Sequence, residues 1–285
     1  MKDFKGKVAV ITGAAHGIGH ALAKEAAMKG MNLVLADIDY EYLKKVEEEV
    51  AEIGAEVLSI KVDVTEFEQV KALGDKTIET FGKVDLFFNN AGVVVPGYVW
   101  DLPIKDIDYI IQSNIYSVLY GMKVFIPIMM KQDKECYIVN TASAAGLLTT
   151  PNMPTYHMTK HANVALSESV NYQLQKIGSK IKMSVFCPGY IQTDLDNCDL
   201  RRPERFKIDN NEPYYSSVEY KAGLERAHFV IRTGIPIDSV GMSVFKAIEE
   251  EQFYILTHPK YNQIIGDRVK TILDGKNPDV FSFLK

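Results

Sequence analysis

Short apolar runs alternate with longer helical segments along most of the chain, and this alternation limits the possible folds more than any other feature. The first run, Val8-Ala9-Val10-Ile11, lacks polar alternation, as is typical of a strand buried on both faces. Seven strands are predicted, at residues 8–11, 32–36, 57–62, 86–88, 137–139, 181–186 and 253–256. Helices are predicted at 18–29, 40–53, 66–81, 105–130, 155–177 and 238–250. This order indicates βαβ units and an α/β fold with a doubly wound parallel sheet.

The regular alternation stops after the sixth strand. No Pro/Gly/Ser-rich linker interrupts residues 7–187, so we predict a single domain over 1–285. A stretch of mixed character follows, and because so long a connection is usually functional or mobile, we predict a lid insertion at about 194–235. It carries three arginines and three tyrosines, at Arg201, Arg202, Arg205, Tyr214, Tyr215 and Tyr220. A partly helical C-terminal tail is predicted at about 258–285.

Composition excludes several classes of protein. The 285 residues include 32 Lys and Arg against 37 Asp and Glu, a net charge of −5 that gives no bulk attraction for nucleic acid or anionic membranes. Cys136, Cys187 and Cys198 lack the spacing of a disulfide framework or a zinc site, so we expect reduced thiols and no metal. The N-terminus lacks the apolar region of a signal peptide, and the apolar stretch at 124–130 is too short to span a bilayer. A cytoplasmic protein is expected.

A glycine-rich turn between the first strand and the first helix predicts a phosphate-binding site. Its glycines, Gly13, Gly17 and Gly19, follow a G-x-x-x-G-x-G spacing, one residue wider than the usual dinucleotide fingerprint. Glycines here allow backbone N–H groups to approach a pyrophosphate, and the helix N-terminus adds partial positive charge. A plain tight turn is the alternative, but the position directly after a buried strand favours phosphate binding.

Asp37, at the end of the second strand, predicts the type of nucleotide. A carboxylate there can accept both ribose hydroxyls of adenosine and would repel a 2′-phosphate, and the next residue is Ile38 rather than a cation. NAD(H) is therefore favoured over NADP(H). Two alternatives stay open: Asp37 could cap the next helix, as Asp39 could, and a protonated His16 could contact a phosphate.

Tyr156 and Lys160 share one face of a predicted helix because they are four residues apart. A nearby ammonium lowers the pKa of a phenol, which makes the phenol a better proton donor or acceptor. Two other pairs have this spacing, Tyr40 with Lys44 and Tyr172 with Lys176, but only Tyr156 follows a serine at a strand end. That serine, Ser143, lies where open α/β sheets hold ligands, although it could also be an ordinary turn residue.

Together these motifs resemble the short-chain dehydrogenase/reductase family in its single-domain branch, over about residues 5–193. The matching motifs are Thr12 to Gly19, Asp63-Val64, Asn89-Asn90-Ala91-Gly92, Asn114, Ser143, Tyr156-x-x-x-Lys160 and Pro188-Gly189-Tyr190-Ile191-Gln192-Thr193. The resemblance implies a Rossmann-type sheet of seven parallel strands and an NAD(P)-dependent oxidoreductase that interconverts an alcohol and a ketone. It also implies a homo-oligomer.

The resemblance implies roles for individual residues. Tyr156 would be the general acid/base, Ser143 a donor to the substrate oxygen, and Lys160 the group that lowers the Tyr156 pKa and holds the nicotinamide ribose. Asn114 would anchor a water that connects Lys160 to solvent. The implied cofactor-binding residues are Gly13, His16, Gly17, Ile18, Gly19, Asp37, Ile38, Asp63, Val64, Asn90, Ala91, Gly92, Tyr156, Lys160, Pro188, Gly189, Ile191 and Thr193.

The C-terminal region departs from the family pattern. Many members end in a short strand and an Asp-Gly-Gly turn used in tetramer packing, whereas this chain has Tyr254-Ile255-Leu256-Thr257-His258-Pro259 and a longer tail. The expected oligomer could therefore be either a dimer or a tetramer.

The expected substrate pocket is mostly apolar, with Val94, Val95, Leu147, Leu148, Met153 and Tyr190 as its candidate lining. If these side chains face the ligand rather than the core, a bulky apolar secondary alcohol or ketone fits, and the resemblance to hydroxysteroid dehydrogenases suggests a hydroxysteroid or bile acid. The alternatives are a polyol, a 3-oxoacyl thioester, or an NAD sensor without turnover. The arginines of the predicted lid could meet a substrate carboxylate, but a solvated basic face is favoured.

Overall fold

The computed structural model describes residues 1–209 and 211–279, so residue 210 of the predicted lid and residues 280–285 of the predicted tail lie outside the described residues. Within that range one sheet contains seven parallel strands, in the order β3-β2-β1-β4-β5-β6-β7. The strands are β1 (Val8–Thr12), β2 (Asn32–Asp37), β3 (Val57–Lys61), β4 (Leu86–Asn89), β5 (Cys136–Thr141), β6 (Ile181–Cys187) and β7 (Tyr254–Leu256). The predicted α/β fold is confirmed, and each predicted strand lies within two residues of an observed one.

Ten α-helices flank the sheet or follow it in the described residues. They are α1 (Gly17–Met28), α2 (Tyr40–Glu52), α3 (Phe67–Phe81), α4 (Ile104–Ile111), α5 (Ser117–Lys131), α6 (Pro154–Lys176), α7 (Pro213–Ser216), α8 (Val218–Arg232), α9 (Asp238–Glu249) and α10 (Lys260–Leu273).

The apolar strands divide their side chains between two cores, one on each face of the sheet. Ala9 and Ile11 of β1 pack in the cluster that includes residues of α1, α2 and α9, whereas Val8 and Val10 pack in the cluster that includes residues of α3, α5 and α6. Because alternate residues of a strand point to opposite faces, a strand covered on both sides must be apolar throughout. Residues 8–11 meet this requirement, and all four are fully buried.

The strand order reverses at β1, which lies between β2 and β4. The connections on either side of this point leave the sheet in opposite directions and open a crevice at the carboxyl ends of the strands. The predicted site residues that follow β1, β4, β5 and β6 are therefore gathered at one edge of the sheet.

Two predicted segments differ from the structure. The single helix predicted at 105–130 is α4 and α5 separated by a π-helical turn, Gln112–Tyr116, and α5 continues through Pro127. The 194–235 segment is mostly ordered helical structure: 3₁₀ turns at Leu195–Arg201 and Glu204–Phe206 precede α7 and α8.

Three further expectations concern membranes, metals and thiols. No helix among residues 1–209 and 211–279 is long and apolar enough to cross a membrane. In this part of the chain, no group of three or more His, Cys, Asp or Glu side chains is arranged to hold a metal ion. All three cysteines are buried free thiols.

Candidate active site

The turn after β1 presents backbone rather than side chains to the crevice. Gly13 has a φ of 65°, and a Cβ added there would lie 2.9 Å from the Cα of Ala91. A Cβ at Gly19 would overlap the carbonyl oxygen of Gly13. His16 precedes α1 without a side-chain capping bond, and the first turn of α1 carries no acidic residue. The first N–H groups of α1 therefore lack side-chain caps, and the cradle fits a pyrophosphate.

Asn90 ties the end of β4 to this turn. Its Nδ2 donates to the carbonyl oxygen of Thr12 at 3.0 Å, and its Oδ1 accepts from the hydroxyl of Thr141 at 3.1 Å. The backbone N–H of Ala91 donates to the Thr12 hydroxyl at 3.2 Å. The side chain of Asn90 is thus used within the protein, and its predicted contact with a cofactor would have to come from other groups of 90–92.

The end of the crevice next to β2, where the sequence predicts the adenosine, is acidic. Asp37 is 7% exposed and accepts the backbone N–H groups of Ala15 and Asp39 at 2.9 and 3.0 Å. Burial raises the pKa of Asp37, although these hydrogen bonds oppose the rise. Ile38 follows it, and the N-cap of α2 is Asp39, so the capping alternative for Asp37 is wrong.

His16 is held between two carboxylates. Its Nε2 lies 2.9 Å from Asp39 and its Nδ1 lies 3.1 Å from Asp194. Burial lowers the pKa of His16, but the hydrogen bonds to Asp194 and Asp39 outweigh it, and the pKa lies above its usual value. The sequence predicted His16 as a phosphate neighbour but missed Asp194, because 178 positions separate the two residues.

Asp63, predicted to face adenine, also contacts the 194–235 segment. Its Oδ1 accepts the backbone N–H of Thr65 at 3.0 Å, and its Oδ2 lies 3.1 Å from a guanidinium nitrogen of Arg205. Val64 packs partly buried against the core on the α3 side of the sheet. The carboxylate of Asp63 therefore already has an arginine partner within the chain, and its contact with adenine stays a prediction.

Four residues predicted to be catalytic meet around the ends of β4 and β5. Lys160 is 4% exposed, and its Nζ donates to the carbonyl oxygen of Thr141 at 3.1 Å and lies 5.6 Å from the centre of the Tyr156 ring. A Cβ at Gly92 would lie 3.3 Å from this Nζ and 3.2 Å from Oδ1 of Asn114. Ser143 follows β5, and its Oγ accepts the backbone N–H of Ala145 at 3.1 Å.

The sequence predicts a lowered pKa for Tyr156, and the direction of this shift is wrong. Burial raises the pKa of Tyr156 to about 12, although hydrogen bonding by Ser143 opposes the rise. Burial also lowers the pKa of Lys160 to about 8. The physical reason is that both groups lie in a poorly hydrated site, where each neutral form is favoured, while the ammonium is directed at Thr141.

Asn114 lies in the π-helical turn, and all its side-chain groups are used. Its Oδ1 accepts the backbone N–H of Val93 at 2.8 Å, and its Nδ2 donates to the carbonyl oxygen of Val93 at 2.9 Å and to the hydroxyl of Thr159 at 3.1 Å. Thr159 in turn donates to the carbonyl oxygen of Tyr156 at 2.9 Å. Sequence reasoning missed Thr159, although its place directly before Lys160 was a signal.

The segment at 188–193 connects the catalytic and phosphate regions. The carbonyl oxygen of Pro188 accepts the N–H of Ala144 at 2.7 Å, and a Cβ at Gly17 would lie 3.1 Å from the Cβ of Thr193. Gly189 donates its backbone N–H to His258 at 3.2 Å, a partner that the sequence analysis did not single out. Ile191 is 4% exposed, packs in the core on the α1 side and pairs with Ile235.

An aromatic cluster covers the side of Tyr156 that faces the 194–235 segment. Val95, Leu102, Tyr109 and Ile110 pack there against three side chains of the segment, Phe206, Tyr214 and Tyr220, and Tyr156 packs against the cluster. Leu147 packs, partly buried, against a small core that includes Ala142 and Val164. Leu148 is buried, Met153 is partly buried and Tyr190 is 40% exposed.

The arginines of the segment form the expected solvated face only in part, because Arg205 is exposed but Arg202 is buried. Arg202 is buried, with its guanidinium on Asp106 of α4 and 2.7 Å from Asp199. Arg201 lies 2.9 Å from Asp194, and Arg205 also lies 2.7 Å from Glu66. Each of the three already has a carboxylate partner within the chain.

The fold and the glycine turn together define an α/β enzyme that binds a dinucleotide. A family model of short chain dehydrogenases matches residues 7–202. The CLA biosynthesis dehydrogenase/reductase of Lactiplantibacillus plantarum is 47% identical over 280 residues, 98% of each chain, and the putative oxidoreductase SadH of Mycobacterium tuberculosis is 36% identical over 193 residues, 68% of this chain and 70% of that one. A short chain dehydrogenase/reductase of Burkholderia phymatum, crystallised with NAD, is 38% identical with a TM-score of 0.94 over 98% of both chains.

The chain therefore belongs to the short-chain dehydrogenase/reductase family, as its motifs predicted. It is an NAD(P)-dependent oxidoreductase that acts on alcohols, with a nicotinamide cofactor and a small-molecule substrate.

Proposed function

We propose that this enzyme transfers hydride between NAD(H) and a bulky, apolar secondary alcohol or ketone, with Tyr156 as the acid/base. The observation that carries the proposal is the meeting of Tyr156, Lys160, Ser143 and Asn114 at the carboxyl edge of the sheet, beside a glycine cradle. A bound nicotinamide supplies or accepts the hydride at this edge.

The residues of the chain account for the proton. With a pKa of about 12, Tyr156 keeps its proton at neutral pH and can donate it to a carbonyl oxygen that Ser143 orients. Lys160, with a pKa of about 8, is the group of the pair that exchanges a proton near neutral pH and can resupply the phenol. Asn114 and Thr159 hold the backbone of Tyr156 in place, because their hydrogen bonds connect the π-helical turn to the carbonyl oxygen of Tyr156.

The test of the acid/base role is Tyr156→Phe, with Tyr172→Phe as the matched control on the same helix. Tyr172 is 64% exposed. We expect Tyr156→Phe to lower kcat/KM by about a thousandfold or more, while NADH binding and kcat/KM of Tyr172→Phe stay within about twofold of wild type. Turnover of Tyr156→Phe close to that of wild type would reject the assignment. Tight NADH binding without turnover of any compound by the wild type would favour an NAD sensor.

The preference for NAD(H) is supported by the carboxylates at the adenosine end, Asp37, Asp39 and Asp194. A 2′-phosphate placed among them would lie close to like charges. We expect Asp37→Ala to weaken NADH binding about tenfold and to reduce the bias against NADPH, with Asp108→Ala, on the exposed face of α4, as the control. Fluorescence titration with both nucleotides measures this, and tighter NADPH than NADH binding by the wild type would contradict it.

The substrate class is supported by the apolar and aromatic cluster next to Tyr156. A panel of hydroxysteroids and bile acids, long-chain hydroxy fatty acids, polyols and 3-oxoacyl thioesters tests it. The fatty acids are included because the Lactiplantibacillus plantarum relative is named for CLA biosynthesis. We expect the bulky apolar compounds to give the highest kcat/KM, and a clear preference for polyols would overturn the proposal.

A homo-oligomer, either a dimer or a tetramer, is also proposed. It is supported by α10, which has no buried residue and exposes Val269, Ile272 and Leu273. Light scattering coupled to gel filtration measures the mass, and a monomer of 32.0 kDa would contradict the proposal.

A further inference from the structure

The loop at 144–153, between Ser143 and α6, is held to the catalytic helix by one imidazole. His157 follows Tyr156 on the first turn of α6 and is 5% exposed. Its Nδ1 lies 3.1 Å from the carbonyl oxygen of Ala145, and its Nε2 lies 3.0 Å from the backbone nitrogen of Thr150. His157 thus ties both the start and the later part of the loop to the helix that carries the proposed acid.

These two partners determine the protonation state of the ring. The backbone N–H of Thr150 can only donate, so Nε2 must keep its lone pair, and the carbonyl oxygen of Ala145 can only accept, so Nδ1 must carry the hydrogen. The hydroxyl of Thr150 also lies 3.0 Å from Nε2. The ring is therefore neutral with its hydrogen on Nδ1, as assigned from its partners. A proton added at Nε2 would face the backbone N–H of Thr150 and break that hydrogen bond, although the Thr150 hydroxyl could accept from the protonated ring.

The surroundings of His157 favour the neutral ring. The loop residues packed against it, Ala144 to Thr150, include no ionisable side chain, and the titratable group that acts on it is His161, one turn further along α6. Burial lowers the pKa of His157, and the charge of His161 adds to this effect, whereas the carbonyl groups of Ala145 and Leu148 oppose it.

The position of the loop is passed on to the neighbouring walls of the crevice. The carbonyl oxygen of Asn152 accepts the backbone N–H of Gly97 at 2.7 Å, and the hydroxyl of Tyr214 donates to the carbonyl oxygen of Pro96. A shift of the loop at Thr150 would therefore also displace residues 96 and 97, which hydrogen bond to Asn152 of the loop and to Tyr214 of the 194–235 segment.

We propose that His157 is a positioning residue for the substrate: its neutral form holds the 144–153 loop against Tyr156, and its protonation releases the loop and weakens substrate binding but not cofactor binding. The inference rests on the proposed function, because the loop borders the substrate only if Ser143 and Tyr156 serve the reaction.

Two substitutions of His157 distinguish a role in positioning the 144–153 loop from a general loss of stability. His157→Gln places an amide oxygen near the Nε2 position, where it can accept from Thr150 and cannot titrate, whereas His157→Phe removes both hydrogen bonds. His161→Gln is the matched control, because its ring bonds within α6 to the carbonyl oxygen of His157 rather than to the loop. Substrate KM, kcat and NADH binding are measured from about pH 4.5 to about pH 8, because the lowered pKa of His157 places its protonation below the usual histidine value of about 6.5.

In the wild type we expect the substrate KM to rise only at pH values below the usual histidine pKa of about 6.5, since burial lowers the pKa of His157 and only the protonated ring loses the Thr150 N–H bond. In His161→Gln the same rise should begin at a somewhat higher pH, because a charge that lowers the His157 pKa is removed. His157→Gln should show a KM that no longer depends on pH in this range. His157→Phe should show a KM raised about tenfold at every pH, the loss expected for one or two hydrogen bonds. An unchanged acid rise in His157→Gln, or NADH affinity that falls in parallel with KM, would overturn the proposal.

Hydrogen exchange of the Thr150 amide provides a test without turnover. Protection of this amide should fall below about pH 6.5 in the wild type and in His161→Gln, and it should persist in His157→Gln. If no alcohol or ketone is turned over, the proposed function fails while the exchange result still decides whether His157 controls the loop. Protection that does not depend on pH in the wild type would contradict the inference.

Discussion

The glycine turn and the 194–235 segment both border the crevice and meet where His16 lies 3.1 Å from Asp194, yet different forces hold them. The turn depends on backbone geometry: glycines approach neighbouring backbone atoms so closely that a Cβ has no space. The 194–235 segment depends on side chains, above all the buried ion pair of Arg202 and Asp106. The carboxylate of Asp106 also accepts a hydrogen bond from the Tyr215 hydroxyl at 2.7 Å.

This difference shows where the molecule tolerates change. Close backbone contact on the nucleotide side leaves few substitutions that keep the turn intact. On the substrate side one desolvated ion pair supports many aromatic contacts, so a single substitution can loosen the segment without disturbing the sheet.

The largest effect is expected on the nucleotide side, from Gly19→Ala. Its methyl group would overlap the carbonyl oxygen of Gly13 and displace the turn, so NADH binding should weaken by at least about a hundredfold. Gly266→Ala is the control, because a Cβ at this position in α10 meets no atom within 4 Å. Fluorescence titration with NADH measures the effect. Normal NADH binding by Gly19→Ala would show that close backbone contacts do not determine the conformation of the turn.

On the substrate side, Arg202→Met should lower the free energy of unfolding of the segment by about 3 kcal/mol, because it leaves Asp106 buried without its cation. We expect the substrate KM to rise about tenfold while NADH binding changes less than about twofold. The double variant Arg202→Met/Asp106→Leu should recover part of the stability, since no buried charge remains. A parallel loss of NADH affinity would show that the two regions are not held separately.

The smallest effect is expected for Lys160→Met, as a change in the free energy of unfolding. Burying this ammonium lowers its pKa from 10.5 to about 8, and after allowing for the lost bond to Thr141 the substitution should stabilise the cofactor-free protein by about 2 kcal/mol at pH 7. Denaturant unfolding measures this gain, and turnover should be lost.

The sign of the pH dependence provides a second measurement for Lys160. Between pH 8 and 10.5 the unfolded wild type binds more protons at this lysine than the folded protein does, so its stability should rise with pH in this window. The raised pKa of Tyr156 has the opposite effect and removes stability between pH 10 and about 12. Lys160→Met should lose the first dependence and keep the second, and an unchanged rise between pH 8 and 10.5 would contradict the assignment.

The fold could be predicted because its signals are local. A strand buried on both faces must be apolar at every position, and the turn after β1 needs glycines, so residues 8–19 alone indicate the architecture. The gathering of Ser143, Tyr156 and Lys160 at one edge also follows from strand order. The roles of these residues as a catalytic set are proposed from their positions.

The parts that could not be predicted depend on burial and on partners far away in the chain. Arg202 is buried because Asp199 and the distant Asp106, 96 positions earlier, neutralise it, and the sequence of the arginine run does not indicate which of its members leaves the solvated face. The direction of the Tyr156 pKa was wrong because hydration, not the nearby ammonium, dominates in the folded site. The bonds of His157 to the loop likewise depend on a tertiary arrangement.

The π-helical turn at Gln112–Tyr116 adds one residue to the path between α4 and α5, and this extra residue sets the rotational phase of α5. Each residue rotates a helix by about 100°, so removing one within the turn would rotate the later residues away from the sheet. Met122 and Phe125 would then leave the core, although no side chain of α5 itself had changed. The same insertion carries Asn114, so the alignment of a long buried helix and the support of the crevice wall rest on one irregularity of the backbone.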